Sequence, residues 1–443
     1  MKILAIETSC DDTGIAILEY GKTGQPNISA DFVSSQTEVH APWGGVVPML
    51  AKREHQRNLT PLFIKALKES GLPKAENSKP KTSAKGESAS GGKNYKLKTL
   101  DSILEREPEL LKKLLPLLKK YRKPDIDYIA VTVGPGLEPA LWAGINFARA
   151  ISYFWDIPLL PINHIEGHLT AAFHSVVASE APASPDERAS IAESRRASRG
   201  RKQFRDIAAV HGIAASPAAP RNDDLPAICL TVSGGHTQLI LVKKIGRYEI
   251  IGETRDDAAG EAFDKVAKML NLGYPGGPAI SRLAEKWKSQ TKNYKLKTKN
   301  FPLPRPMLNS GDFDFSFSGL KTAVLYALQK MTAAQIKKQT SAIAAEFEQA
   351  VIDVLTAKTL SAAKKYRAKT IALAGGVAAN QALRQELAKQ AKDSNLNFLV
   401  PSSHFCTDNA AMIGLAAFYR LKQSRAKKAA WRALKAQANL RIS

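Results

Sequence analysis

The chain has 443 residues, 44% of them apolar, and a formal net charge of +23. That is enough for two or three domains with sizeable cores, and three cysteines without paired spacing, at 10, 229 and 406, argue for a reducing compartment and against a cysteine-rich zinc module. No uncharged run reaches the roughly 18 residues that a membrane span needs, and so large a basic excess favours a polyanionic partner such as nucleic acid.

Residues 2–18 read as strand, polar loop and strand: Ile3 to Ile6, then Glu7 to Gly14, then Ile15 to Leu18. Glu7, Asp11 and Asp12 break the apolar start, so it is not expected to be a signal peptide. A rigid loop from His40 to Pro48 follows, then a helix from about Pro48 to Ser70. Residues 74–93 are rich in Lys, Ser and Gly and read as a flexible insertion. Residues 101–122 read as a basic amphipathic helix broken at Pro108 and Pro116. A buried strand, Tyr128 to Val133, runs into Gly134-Pro135-Gly136-Leu137-Glu138-Pro139. Pro139 replaces the third glycine of a dinucleotide fingerprint, so a tight turn into a helix over about 140–154 is expected instead.

The segment Asn163-His164-Ile165-Glu166-Gly167-His168 carries the first chemical signal. Asn163 is a good N-cap, and residues four apart on a helix share a face. Both imidazoles therefore address one point, as two metal-ligating nitrogens must. The spacing equally allows two helix histidines that merely share a face. In a zinc protease the acid would directly follow the first histidine, whereas Glu166 sits one position later. A third ligand must come from elsewhere, and Asp408, opening a long apolar helix, is the best candidate; a plain N-cap is the alternative for it.

Residues 175–224, rich in Ala, Ser, Arg and Pro, read as a second insertion. The strand–loop–strand pattern returns at Ile228 to Val232, Ser233 to Thr237 and Gln238 to Val242, which suggests duplicated domains whose hairpin loops grip one phosphate-bearing ligand. Asp264, the double-glycine turn Tyr274 to Pro278, and the strand Thr370 to Ala374 running into Gly375-Gly376 and Asn380 are places for a nucleotide to meet backbone or an acid. Each is equally a turn or cap feature taken alone. Basic clusters occur around Trp287 and throughout the tail after Asp408, which holds no acid. The hexapeptide Asn-Tyr-Lys-Leu-Lys-Thr, at 94–99 and again at 293–298, reads as basic exposed loop. There is no Walker A motif, no nucleophile elbow around Ser233, and no Cys/His/Asn protease motif.

As a set, Ile6 to Gly14, residues 40–48, Val131 to Leu137, Asn163 to His168, Val232 to Thr237, Gly260 to Lys265, Tyr274 to Pro278, Phe315 to Lys321, Ala374 to Asn380 and Cys406 to Met412 closely resemble the bacterial tRNA N6-adenosine threonylcarbamoyltransferase family, in family order. The resemblance implies an α/β, actin-like fold of two duplicated ribonuclease-H-like lobes around a central cleft. The lobes would be residues 1–160, with a basic insertion at about 74–123, and 161–443, with a flexible insertion at about 175–224; the last helix would pack back on the first lobe. It implies transfer of a threonylcarbamoyl group from threonylcarbamoyl-AMP to the N6 amine of the adenosine adjacent to the anticodon, in the cytoplasm. It carries metal binding onto His164, His168 and Asp408, with iron(II) preferred to zinc. It carries substrate contacts onto Thr231, Val232, Ser233, Gly234, Gly235, Asp264, Gly277 and Asn380. Asp11 becomes the candidate base or orienting group for the amine, and Glu166 a supporting residue. Implied partners are tRNA, a catalytically silent paralogous subunit and a small P-loop ATPase, with no membrane. Met49 and Ser281 depart from the family, which usually has acids there. The rival function is a metalloprotease built on the His164/His168 pair.

Overall fold

The computed structural model describes residues 1–21, 26–72, 91–174, 224–291, 301–423 and 429–442, with residues 91–95 described in backbone only. Residues 74–90 of the first expected insertion, nearly all of the second and the second copy of the hexapeptide lie outside these residues. The first copy lies in a helix rather than an exposed loop.

In chain order the first half contains β1 (Lys2–Glu7), β2 (Asp12–Tyr20), β3 (Pro26–Ser35), α1 (Pro48–Glu69), α2 (Gly91–Ile103), α3 (Pro108–Lys120), β4 (Tyr128–Gly134), α4 (Glu138–Trp155), β5 (Leu159–Asn163) and α5 (His164–His174). The second half contains β6 (Ala227–Val232), β7 (Thr237–Lys244), β8 (Arg247–Glu253), α6 (Ala259–Met269), α7 (Gly276–Gln290), α8 (Ser318–Gln329), α9 (Ala333–Lys365), β9 (Thr370–Ala374), α10 (Gln381–Asp393), β10 (Asn397–Leu399) and α11 (Ala410–Lys422). The two halves build five-stranded sheets of one design, ordered β3-β2-β1-β4-β5 and β10-β9-β6-β7-β8. In each, the first three strands form an antiparallel meander and the last two add in parallel beside the first strand. The parallel strands are continuous apolar runs because both their faces are covered.

Three apolar cores hold the layers together. One lies under α1 to α4 on the outer face of the first sheet, and another under α6 to α10 on the outer face of the second. The third lies between the sheets and is filled by α5 and α11, whose residues are buried almost throughout. Tyr20 of β2 stacks on Phe418 of α11 with ring centroids 3.8 Å apart. The chain end returns to the first half: Ala429 bridges Leu159 of β5, and Gln437 N–H donates to the Val133 carbonyl at 2.8 Å.

The basic segment at 101–122 differs from its sequence reading. Pro108 opens α3 at its first turn, where no N–H is needed, and Pro116 sits inside α3 without ending it. Pro116 is on the exposed face, where water can hydrate the carbonyl it frees. Pro61 inside α1 is tolerated for a visible reason: the Arg57 carbonyl, which it deprives of a donor, accepts Lys113 Nζ at 3.1 Å. Leu110, Leu114, Leu117 and Leu118 of α3 are buried in the outer core, so α3 is structural.

Candidate active site

The two central helices present their N-terminal ends together. Asn163 Oδ1 accepts the Ile165 and Glu166 N–H groups at 2.8 and 3.2 Å, capping α5 as its sequence predicts. At α11 the cap is Asn409, whose Oδ1 accepts Met412 N–H at 2.9 Å. Asp408 is therefore not the cap; it precedes the cap and is free to point at the rings. Gly167 lets the helices approach: a Cβ there would lie 2.9 Å from Ile413 Cδ1. Glu166 is occupied on the same interface, accepting Arg420 Nε at 2.6 Å, while Arg420 Nη1 donates to the Pro161 carbonyl at 3.0 Å. It ties α5 to α11 and is no base for a metal-bound water.

The cluster itself is compact. Asp408 Oδ1 lies 3.1 Å from His168 Nε2 and 3.5 Å from His164 Nε2, and one donor atom from each of the three residues lies within 4.8 Å of the others. His164 Nδ1–H donates to Glu7 Oε2 at 3.1 Å, with Ser9 Oγ also 3.1 Å from that nitrogen. Glu7, fully buried at the end of β1, further accepts Thr132 Oγ1 at 2.6 Å and Ser9 N–H at 2.5 Å. These donors fix the ring so that the Nε2 lone pair faces the Asp408 carboxylate. A nitrogen lone pair facing a carboxylate needs a cation between them, either a proton or a metal ion. Buried His168 Nδ1 has no hydrogen-bond partner among the described residues, so that ring is not consumed by structural bonding. Two imidazole nitrogens and a carboxylate oxygen, closely grouped on rigid helix ends, fit one divalent ion.

The electrostatics agree. Burial disfavours the charged His164 ring, but the Asp408 and Glu7 carboxylates outweigh it and raise its pKa to about 9. Burial alone would raise Asp408; instead His164, His168 and His236 hold it well below the usual carboxylate range. Burial, then the neighbouring His164 and His168, lowers His236 to about 4. Below about pH 9 the metal-free site therefore holds a proton on His164, which an incoming ion must displace. Metal uptake near neutral pH is expected to release about one proton and to weaken as the pH falls. Calorimetry in two buffers of different ionisation heat reads that proton; uptake with no proton released would contradict this account.

Both hairpin loops face this cluster. Asp11 is half-buried in the loop after β1. Burial and then the charge of Asp408 raise its pKa, and the same two causes push Asp12 to about 7. The Asp11 charge is also felt at Asp264, which is raised chiefly by burial. Asp264 Oδ1 accepts Gly276 N–H at 2.7 Å at the start of α7. Asn380 caps α10, accepting Leu383 N–H at 2.8 Å, and donates to Ser281 Oγ and Glu348 Oε1, both at 2.9 Å. The first turns of α7 thus bring Asp264, Gly277, Ser281 and Asn380 together. Ser281, in place of the usual acid, is a hydrogen-bond partner of Asn380. In the second hairpin, Ser233 N–H donates to the His236 carbonyl at 2.8 Å, leaving Gly234 and Gly235 exposed at the tip. A Cβ added at Gly234, Gly235 or Gly277 would meet nothing within 4 Å, so backbone is open to a ligand there. Thr231 and Val232 are fully buried, backbone included, within β6 between β7 and β9, so neither presents an open surface to a ligand. Gly375, at φ 87°, passes so close to Val232 that a Cβ would lie 2.5 Å from its carbonyl oxygen. The loops after β6 and β9 are thereby locked side by side.

Residues 27–78, 105–185 and 197–415 match the family model described as tRNA N6-adenosine threonylcarbamoyltransferase. The chain belongs to this family. The chain is 37% identical over 421 residues to the tRNA N6-adenosine threonylcarbamoyltransferase of Acidovorax sp. (strain JS42), spanning 95% of this chain and 91% of the relative. With the enzyme of the same description from Clostridium perfringens (strain SM101 / Type A) it shares 35% identity over 440 residues, 99% of this chain and 98% of the other. With that from Thermosipho africanus (strain TCF52B) the identity is 37% over 423 residues, 96% and 95% of the two chains. Among solved structures, T. kodakarensis HypF aligns over 96% of this chain and 48% of its own at 12% identity, and its TM-score of 0.44 is too low to bear on fold or function. Membership of the threonylcarbamoyltransferase family places the fold in the actin-like superfamily. Within the matched span, residues 79–104 and 186–196 are left unmatched, and α3 lies within the matched residues. No helix among the described residues is long and apolar enough to cross a membrane.

Sequence reasoning missed Glu7 and His236 as site residues. A carboxylate closing an apolar strand was the available signal for Glu7. His236 carried only its place in the second hairpin loop, which mirrors the first.

Proposed function

We propose that the chain transfers a threonylcarbamoyl group from threonylcarbamoyl-AMP to the N6 amine of the adenosine adjacent to the tRNA anticodon. The observation that carries this reading is the family match together with the compact His164/His168/Asp408 cluster, near enough to Asp11 for the Asp408 charge to raise the Asp11 pKa. An amine and an activated acyl donor must meet between such groups. The fold reading that goes with it is two ribonuclease-H-like lobes, 1–160 and 161–443, around a central cleft, which the repeated strand order supports.

In this reading Asp264, Gly277 and Asn380 hold the adenosine part of the donor, and the N–H groups of Gly234 and Gly235 meet its phosphate. The N6 nitrogen attacks the carbamoyl carbon; a C–N bond forms, the C–O bond to phosphate breaks, and AMP leaves with the bonding pair. Asp11, its pKa raised by burial and by Asp408, orients the amine and takes its proton. A divalent ion held by His164, His168 and Asp408, iron(II) rather than zinc, would supply Lewis acidity toward donor oxygens. The target lies in a loop, so exposing it is less costly than flipping a base from a duplex. A silent paralogous subunit, a small P-loop ATPase and a cytoplasmic setting complete the reading.

The test supplies the chain with threonyl-labelled threonylcarbamoyl-AMP and tRNA, with and without candidate partner subunits, and digests the tRNA to nucleosides. Label on the adenosine is the expected result. Unlabelled tRNA, with donor intact and a related enzyme active in parallel, would overturn it. The metalloprotease reading finds no support, because Glu166 is bound to Arg420.

A further inference from the structure

A second concave surface, on the first half of the chain, is unused by the chemistry above. Between the start of α1 and the start of α3 lies a groove of about 490 Å³. Met49, Leu50 and Pro108 give it an apolar lining, and Lys52, Arg53 and Arg106 a cationic one. Lys52 is committed to buried Glu107 at 3.1 Å, and the lining acid Glu109 lies 3.5 Å from Arg57. Arg53 and Arg106 are exposed and have no carboxylate partner among the described residues. The groove therefore suits a flat apolar ring that carries an anion.

The loop leading into α1 adds a platform. Trp43 is 65% exposed, as is Met49. Trp43 ends the tight turn Ala41–Trp43, stiffened by Pro42, and the loop is closed by Val47 N–H donating to His40 Nδ1 at 3.3 Å. Buried His40 bonds Gln36 Oε1 at 3.2 Å, and Gln36 N–H donates to the Asp11 carbonyl at 3.0 Å. The indole is thus held in solvent by a chain of contacts ending on Asp11. From the other half, Lys268 comes against Gly44, its Nζ 3.4 Å from where a Cβ would be. On its inner face α1 offers His55 Nε2 to the Cys10 carbonyl at 3.0 Å; the groove opens on another face, so about 10 Å of helix separates groove and Asp11 loop.

We propose that Trp43 and the α1–α3 groove seat the single-stranded nucleotides flanking the modified adenosine. Trp43 stacks on a base, and Arg53, Arg106 and Lys268 meet the phosphates. A single-stranded nucleotide combines a π face with a phosphodiester charge, which is what this surface complements. The site deepens the transferase reading and rests on it for the identity of the RNA.

The test uses Trp43→Ala, Trp43→Phe and the double variant Arg53→Glu/Arg106→Glu in the full chain. With tRNA as substrate, the KM for tRNA rises about tenfold in Trp43→Ala and in the charge variant, while Trp43→Phe keeps the wild-type value. The KM for the donor and kcat at saturating tRNA stay as in wild type. The slope of log affinity against log salt shrinks by about 1 to 2 in the charge variant alone. Binding of an anticodon stem-loop RNA without donor reads the same surface if no transfer is observed, so the two readings fail separately. Unchanged RNA affinity and salt slope in these variants overturn the proposal. So does loss of a co-purifying protein with RNA binding intact, which would make the groove a protein-docking surface.

Discussion

His168→Ala lowers threonylcarbamoyl transfer by about 10³-fold or more, and Asp408→Asn has a similar effect. His168 is almost fully buried, with Nε2 3.1 Å from Asp408 Oδ1, so no neighbouring side chain or bulk water replaces it in the same geometry. The fold survives the change, because α5 is held by its Asn163 cap and by the Glu166–Arg420 pair, neither of which uses His168. Removing one ligand leaves two donors, too few for tight retention of an ion, so the double variant loses little more than either single one. Elemental analysis of anaerobically purified protein, transfer rates and thermal melting measure the three parts. Wild-type rates in a His168→Ala protein shown to be metal-free would remove the cluster from the chemistry.

Glu7→Gln lowers metal affinity or transfer by about 10- to 100-fold, although Glu7 is not a member of the cluster. The carboxylate accepts from His164 Nδ1, Ser9 N–H and Thr132 Oγ1 at once. An amide of the same shape turns one acceptor into a donor and sets it against a donor. The His164 ring then loses the partner that keeps its Nε2 lone pair toward Asp408. Glu7→Ala goes further: it strands three buried donors and destabilises the fold by about 3 kcal/mol or more. Metal titration and melting of both variants separate positioning from stability. A Glu7→Gln protein that binds metal and reacts like wild type would reduce Glu7 to a packing residue.

Much of the site was legible because it is written in short local rules. Asn163 followed by histidines four apart specifies a capped turn with both rings on one face, and the fold has that cap, with the two rings side by side. The two strand–loop–strand patterns at 2–18 and 228–242 became corresponding hairpins of equivalent sheets. Where the sequence reading failed, exposure to water or an adjacent residue had decided the matter. Pro116 did not break α3 because its side of the helix faces water. Asp408 was not a cap because Asn409 took that role.

By itself the sequence determined the strands, the helix carrying the two histidines, and the family to which the set of motifs belongs. Only the tertiary structure decided that Asp408, 240 residues beyond His168, closes the cluster. It alone recruited Glu7 and His236, and it alone committed Glu166 to Arg420. The physical reason is range. Helix periodicity and capping act within a few residues, whereas a buried carboxylate takes its partner from whatever element the packing brings against it, and here that was two helices pressed between two sheets.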